Sequence, residues 1–221
     1  MSRTKPSSVS KNPAVATFEW SATDGVFTAW DSVKKQKVEV GNDFSFAPLD
    51  QLCVIGGYVK DKGTARTREL HHLNQPIEVL LWKDGKSSVY ASGVYSDIKA
   101  DLKAQGIKYR KIIYATLLDD LGDFSFGDTI KLDLGGAAMS EWIDSKIMDV
   151  DGVKIGEPEL VEINKMIKFY KPKFEIFELS EDENKLANEA DEKLQDFFAG
   201  NTVREEVVAE VAEEFVDDVP F

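Results

Sequence analysis

Pro76-Ile77-Glu78-Val79-Leu80-Leu81-Trp82-Lys83-Asp84-Gly85-Lys86-Ser87-Ser88-Val89-Tyr90 is the stretch on which the fold turns. Side chains of a strand alternate between faces, so after Pro76 opens the strand, Ile77, Val79 and Leu81 share one side and Glu78, Leu80 and Trp82 the other. Lys83-Asp84-Gly85-Lys86 is a tight turn, and a second strand runs from Ser88 to Tyr95, with Tyr90 and Tyr95 on opposite faces. A hairpin is the result.

Working outward, Leu52 to Lys60 forms the strand before this hairpin; Gly56-Gly57 permits a bulge or a close backbone approach, of which the bulge is expected. The loop between is basic, with Lys60, Lys62, Arg66 and Arg68 ahead of His71-His72. Downstream, Ser96 is the expected N-cap of a short helix through Ile98 and Leu102 that Gly106 stops. A strand from Lys108 to Leu118 follows, then an acidic loop with Asp119, Asp120 and Asp123. Thr129-Ile130-Lys131-Leu132-Asp133-Leu134 alternates as the last strand. Three strands, a helix and two strands is the connectivity of an OB-fold, a small Greek-key barrel that binds oligonucleotides on its second and third strands and flanking loops.

Around this unit, Phe18, Trp20 and Ala22 alternate with polar residues, Asp24-Gly25 is a two-residue hairpin turn, and Val26 to Trp30 returns. With Val38-Glu39-Val40 beyond the cluster Lys34, Lys35 and Lys37, this predicts an N-terminal meander. Met139, Trp142, Ile143 and Ile147 recur at helical spacing, Pro172 forbids a continuous helix between Val153 and Leu179, and Phe174 to Glu178 suggests a strand. Ser180 with Glu183 is a capping box, and Leu186, Ala190, Leu194, Phe197 and Phe198 stripe the helix that follows. The expected fold is mainly β with a few helices: an OB-fold-like Greek-key β-barrel with an N-terminal β-meander extension and a helical, acidic C-terminal tail. A disordered basic arm occupies 1–16, the barrel with its meander 17–179, an amphipathic helix 180–200 and the acidic tail 201–221.

The 221 residues carry a net charge of −13, and it is segregated. From Glu178 to Phe221 there are 15 acidic side chains against Lys185, Lys193 and Arg204, whereas the rest of the chain is within one charge of neutrality. The body must therefore be judged by its own charge, which does not exclude nucleic acid. No apolar run approaches the roughly 20 residues that span a bilayer, so no membrane partner is expected. The polar N-terminus lacks an export signal, and one cysteine, Cys53, fits a reducing, cytoplasmic compartment.

No zinc spacing, phosphate-cradling glycine motif or nucleophile elbow is present, and Met148 to Gly152 departs from a calcium loop. Adjacent residues on a strand point to opposite faces, a rule that only a loop would let His71-His72 escape. No catalysis, metal or cofactor is expected. Single-stranded nucleic acid requires cations that track phosphates and aromatic faces on which bases stack, at about 1–3 kcal/mol each. The expected DNA-binding set is Tyr58, Lys60, Lys62, Arg66, Arg68, Trp82, Lys83, Lys86, Tyr90, Tyr109, Arg110 and Lys111. Any one of these aromatics alone reads as core before platform; their coincidence with the barrel order favours the nucleic-acid reading.

The chain ends in Asp217-Asp218-Val219-Pro220-Phe221. This tip resembles the acidic tip of bacterial single-stranded DNA-binding proteins, and an OB-like body with an acidic tail ending in phenylalanine is similar to the bacteriophage members of that group. A charged, partly helical join replaces the Gly/Gln/Pro-rich linker of the bacterial members, favouring the phage-like type, whose compartment would be the host cytoplasm. The resemblance implies a sequence-nonspecific single-stranded DNA-binding protein that protects DNA in replication, recombination or repair. It also implies recruitment of a polymerase, helicase, primase, nuclease or recombinase through Asp217, Asp218, Val219, Pro220 and Phe221, and leaves a homodimer open. Phe221 and its carboxylate suit an apolar pocket beside a cation, Pro220 lowers the ordering cost, and the two aspartates imitate phosphates. The tail is thus expected to occupy the basic groove until DNA frees it. The alternative is an acidic adaptor of the replication or recombination machinery whose β-domain binds protein and whose tail mimics DNA.

Overall fold

The computed structural model describes residues 12–31, 35–83, 85–147, 151–163 and 167–200. Most of the basic arm, the tail from 201 onward and its tip lie outside them. The described chain is mainly β and runs β1 Ala16–Ser21, β2 Val26–Asp31, β3 Gln36–Gly41, β4 Ser45–Val59, β5 Gly63–Arg66, β6 Pro76–Lys83 and β7 Lys86–Val94. There follow α1 Tyr95–Ala104, β8 Lys108–Leu117, β9 Thr129–Gly135, α2 Gly136–Asp144, β10 Asp151–Ile163, β11 Ile167–Glu178 and α3 Glu181–Phe198. No helix among the described residues is long and apolar enough to cross a membrane.

The strands form one mixed, open sheet in the order β3-β2-β1-β9-β8-β4-β5-β6-β7. Neighbours are antiparallel except β1 and β9, which pair in parallel through Phe18 opposite Leu132. The β10–β11 hairpin joins the start of β4 through Val153 opposite Phe46. The meander is thus part of the same sheet.

The 15-residue β4 contributes to every cluster, because its halves and its two faces meet different partners. Phe44 and Phe46 join Phe18, Phe27, Ile113, Leu117, Leu132 and Trp142 in one cluster, which α2 and β11 close with Trp142 edge-on to Phe174. Ile55 and Val59 join Ala65, Ile77, Val79, Leu102 and Ile107 in a second, beneath α1. The inward alternation of Ile77, Val79 and Leu81 holds, and Trp82 points away from that cluster. Helix α3 adds a layer on the opposite face, burying Leu194 against Leu52, Val54, Ile112 and Tyr114.

Several local expectations are corrected. The β1–β2 connection is not a two-residue turn: Ser21 pairs with Val26, and the ring of Tyr170 lies 2.8 Å from where a Cβ on Gly25 would stand. Gly56-Gly57 is not a bulge. Its pairing is regular, the irregularity in β4 falls between Pro48 and Asp50, and Gly57 instead admits the Gly106 carbonyl to within 2.3 Å of a hypothetical Cβ. A register shift between Val79 and Leu80 turns Tyr90 inward, so Tyr90 and Tyr95 pack on one cluster rather than on opposite faces. Val94 rather than Ser96 caps α1, and the Ser96 hydroxyl donates to Asp97 instead. Val153 to Leu179, ambiguous in its sequence, is the hairpin β10–β11. The capping box of α3 forms in full: Ser180 Oγ accepts from the Glu183 N–H while the Glu183 carboxylate accepts from the Ser180 N–H.

Candidate nucleic-acid interface

Thr64 on β5 stands opposite Tyr58 on β4 and opposite Trp82 on β6. The three side chains therefore share one face, and two inter-strand steps place the aromatic residues roughly 10 Å apart. Both are open to solvent, Tyr58 at 70% and Trp82 at 50%. Two residues further along, on the same face, Arg66 lies opposite Gly56 and Leu80, and Leu80 in turn faces the exposed Val89. Lys108 and Arg110 extend this face on β8, opposite Gly56 and Val54. An exposed aromatic row beside a cationic row is the result.

Antiparallel pairing also brings the two short turns to one end of the sheet. The β4–β5 turn carries Lys60 and Lys62; the β6–β7 turn is flanked by Lys83 and Lys86. All four lysines are exposed, and none forms an ion pair with a described residue. Lys62 Nζ lies 5.5 Å from the centre of the Tyr90 ring, a cation–π interaction at the rim.

The two arginines are held. Asp133, on β9, is only 1% exposed and accepts from Arg66 Nη1 at 2.9 Å and from Arg110 Nε at 2.6 Å. Arg110 Nη2 also reaches the Asp133 carbonyl at 3.4 Å. Two glycines make room: Arg66 Cγ lies 3.4 Å from where a Cβ on Gly56 would stand, and Arg110 Nη1 3.0 Å from one on Gly135. Arg66 is therefore a strand residue reaching across β4 and β8, not a member of a basic loop. Arg68 remains exposed, on the rim of a groove shared with Leu70, Ile77, Glu78 and Leu80.

Three expected site residues lie elsewhere. Tyr90 and Tyr109 pack against the cluster under α1, and burial pushes the Tyr109 phenol up, with Cys53 and Tyr95 adding to the effect. Lys111 is half-buried and paired with Cys53 and Leu134, on the face opposite Arg110. Asp217 to Phe221 lie outside the described residues. Among the described residues no group of three or more His, Cys, Asp and Glu is arranged to hold a metal, and His71 instead meets the edge of Phe198 at 5.6 Å.

Thr64, Val89, Lys108 and Asp133 also belong to this face, and none of them stands out in the sequence. Alternation in Thr129 to Leu134 places Asp133 beside Lys131 on an outward row, where a lone carboxylate looks solvated. Only the lane opened by Gly56 and Gly135 shows that arginines from β5 and β8 reach it. The face is bounded by α3, whose Phe198 meets Tyr114 edge-on at 5.5 Å. Beneath it Tyr114 Oη donates to Glu69 at 2.6 Å and accepts from Asn12, while Glu69 also takes Lys131 Nζ at 2.8 Å. Burial, then this carboxylate, hold the Tyr114 phenol far above its ordinary range.

The chain matches no protein-family model, no curated protein and no solved structure.

Proposed function

We propose that the protein is a non-catalytic, sequence-tolerant binder of single-stranded DNA, which lays bases on Tyr58 and Trp82 and phosphates along Arg66, Arg110 and the lysine-rich turns. The observation that carries this reading is the pair of exposed aromatic residues on one sheet face beside lysines that no described carboxylate neutralises. Every base has a π-face, so such a row accepts any sequence, while the cations supply the salt-dependent part of the affinity.

The order of β4 to β9 around α1 supports an OB-like unit within the larger sheet. β8 pairs antiparallel with both β4 and β9, and β5 to β7 take the place of the second and third barrel strands, whose face such folds use for oligonucleotides. The departure is β1, which occupies the free edge of β9. Recruitment of replication or recombination proteins by Asp217 to Phe221, and competition of that tail with DNA, belong to the same proposal and rest on the sequence resemblance. Deleting Asp217 to Phe221 should raise single-strand affinity and change its salt slope if the tail competes.

Titration of a fluorescein-labelled oligo-dT at two salt concentrations, with quenching of tryptophan emission as a second signal, tests the reading. Salt-sensitive binding with quenching is expected; no binding at low salt overturns it.

A further inference from the structure

We infer that Arg66, Arg110 and Asp133 form a preassembled seat for one backbone phosphate, in which Asp133 is the positioning residue. This rests on the single-strand reading above. Asp133 is buried, and each of its oxygens takes one guanidinium donor. A guanidinium carries five N–H donors, so each arginine keeps several for another acceptor. The side chains of Arg66 and Arg110 are 34% and 29% exposed, enough to present those donors to solvent.

The charge count supports a ligand. Two cations and one carboxylate leave a single positive charge on an otherwise closed hydrogen-bonded group, which one phosphate diester would neutralise. Forked donors also match phosphate oxygens in geometry, which a lysine does not. A buried carboxylate between two arginines is weak as a stabilising device, because an apolar replacement of similar shape is often equally stable. Its value lies in fixing two long, repelling side chains in one arrangement before the ligand arrives. Arg66, at one side of the seat, stands two residues from Thr64 of the Tyr58–Thr64–Trp82 row, roughly 7 Å along the strand, whereas Arg110 stands opposite Val54, four residues from Tyr58.

Asp133→Asn separates this inference from simple electrostatics, because it makes the face more positive by one charge. Attraction alone predicts tighter oligo-dT binding. Positioning predicts binding weaker by about tenfold and a salt slope shallower by about 0.7, the value for one single-strand phosphate no longer neutralised. Arg66→Lys, which keeps the charge and loses the fork, should weaken binding similarly, and adding it to Asp133→Asn should cost little more, since both break one unit. Near-ultraviolet circular dichroism checks that each variant folds; if Asp133→Asn does not, Arg66→Lys and Arg110→Lys decide. Wild-type binding with unchanged or tighter binding by the folded variants overturns the phosphate seat and leaves the single-strand reading standing. A wild-type protein that binds no oligo-dT overturns both.

Discussion

Tyr58 and Trp82 rise from the same sheet face with only Thr64 between them, and both leave most or half of their surface in water. Tyr58→Ala removes little buried area, so stability should stay within about 0.5 kcal/mol of wild type, whereas Trp82→Ala, which gives up the buried half of the indole, should cost about 1–2 kcal/mol. Affinity for oligo-dT should fall by about 1–3 kcal/mol per residue. Fluorescence anisotropy measures the second quantity and urea unfolding the first. A double variant that binds like wild type would move the stacking surface elsewhere.

The lysines at the turns act differently, through counterion release rather than stacking. Changing Lys60, Lys62, Lys83 and Lys86 to glutamine should flatten the plot of log affinity against log salt by up to about 0.7 for each phosphate that these cations neutralise. Quenching of the remaining bound complex should persist, because Trp82 is untouched. An unchanged slope would show that phosphates run over another surface.

Helix α3 depends on its first turn and on one deeply buried leucine. Ser180→Ala removes the acceptor for the Glu183 N–H and should cost about 0.5–2 kcal/mol. Leu194→Ala leaves a cavity over Leu52, Val54, Ile112 and Tyr114 and should cost about 2–5 kcal/mol. Chemical denaturation reads both; equal costs would mean that the helix is held elsewhere along its length.

Cys53 should be chemically quiet in the native state. Its thiol is buried, lies 3.0 Å from the Leu70 carbonyl, and is pushed above its ordinary range by burial, with the nearby Lys111 charge opposing. A thiol-specific reagent at pH 8 should label it slowly when folded and at once in denaturant. The sign of the pH effect follows. The unfolded thiol ionises first, so this contribution to stability is complete below about pH 8.5 and is lost as pH rises through the higher folded value. Rapid native labelling would contradict the buried assignment.

Alternation exposed the inward row Ile77, Val79 and Leu81 and freed Trp82 correctly, because β6 is half-buried and its own period is undisturbed. It failed for Tyr90, since a register shift against β6 changes side parity and no local residue announces it. Arg66 and Arg110 were legible as cations but not as a pair, because Asp133 joins them only after β5, β4, β8 and β9 assemble. The long hairpin β10–β11 was obscured by its own composition: lysines interleaved with aromatic residues from Lys168 to Lys173 carry neither clear helical nor clear strand periodicity. The capping box at Ser180 was legible because both halves of that signal lie within four residues.

The parallel pairing of β1 with β9 bears on the order of events in folding. Phe18 meets Leu132 across most of the body, so β1, the first of the described strands, has no partner for that edge until β9 has been made. Pairings this distant in sequence require loop closure before they stabilise anything, and the entropy of that closure slows folding. In pulse-labelling hydrogen exchange during refolding, the β1 amides that bond to β9 should gain protection after those of the β6–β7 hairpin. On this expectation β1 is among the last strands to lock, and until then its edge toward β9 stays open.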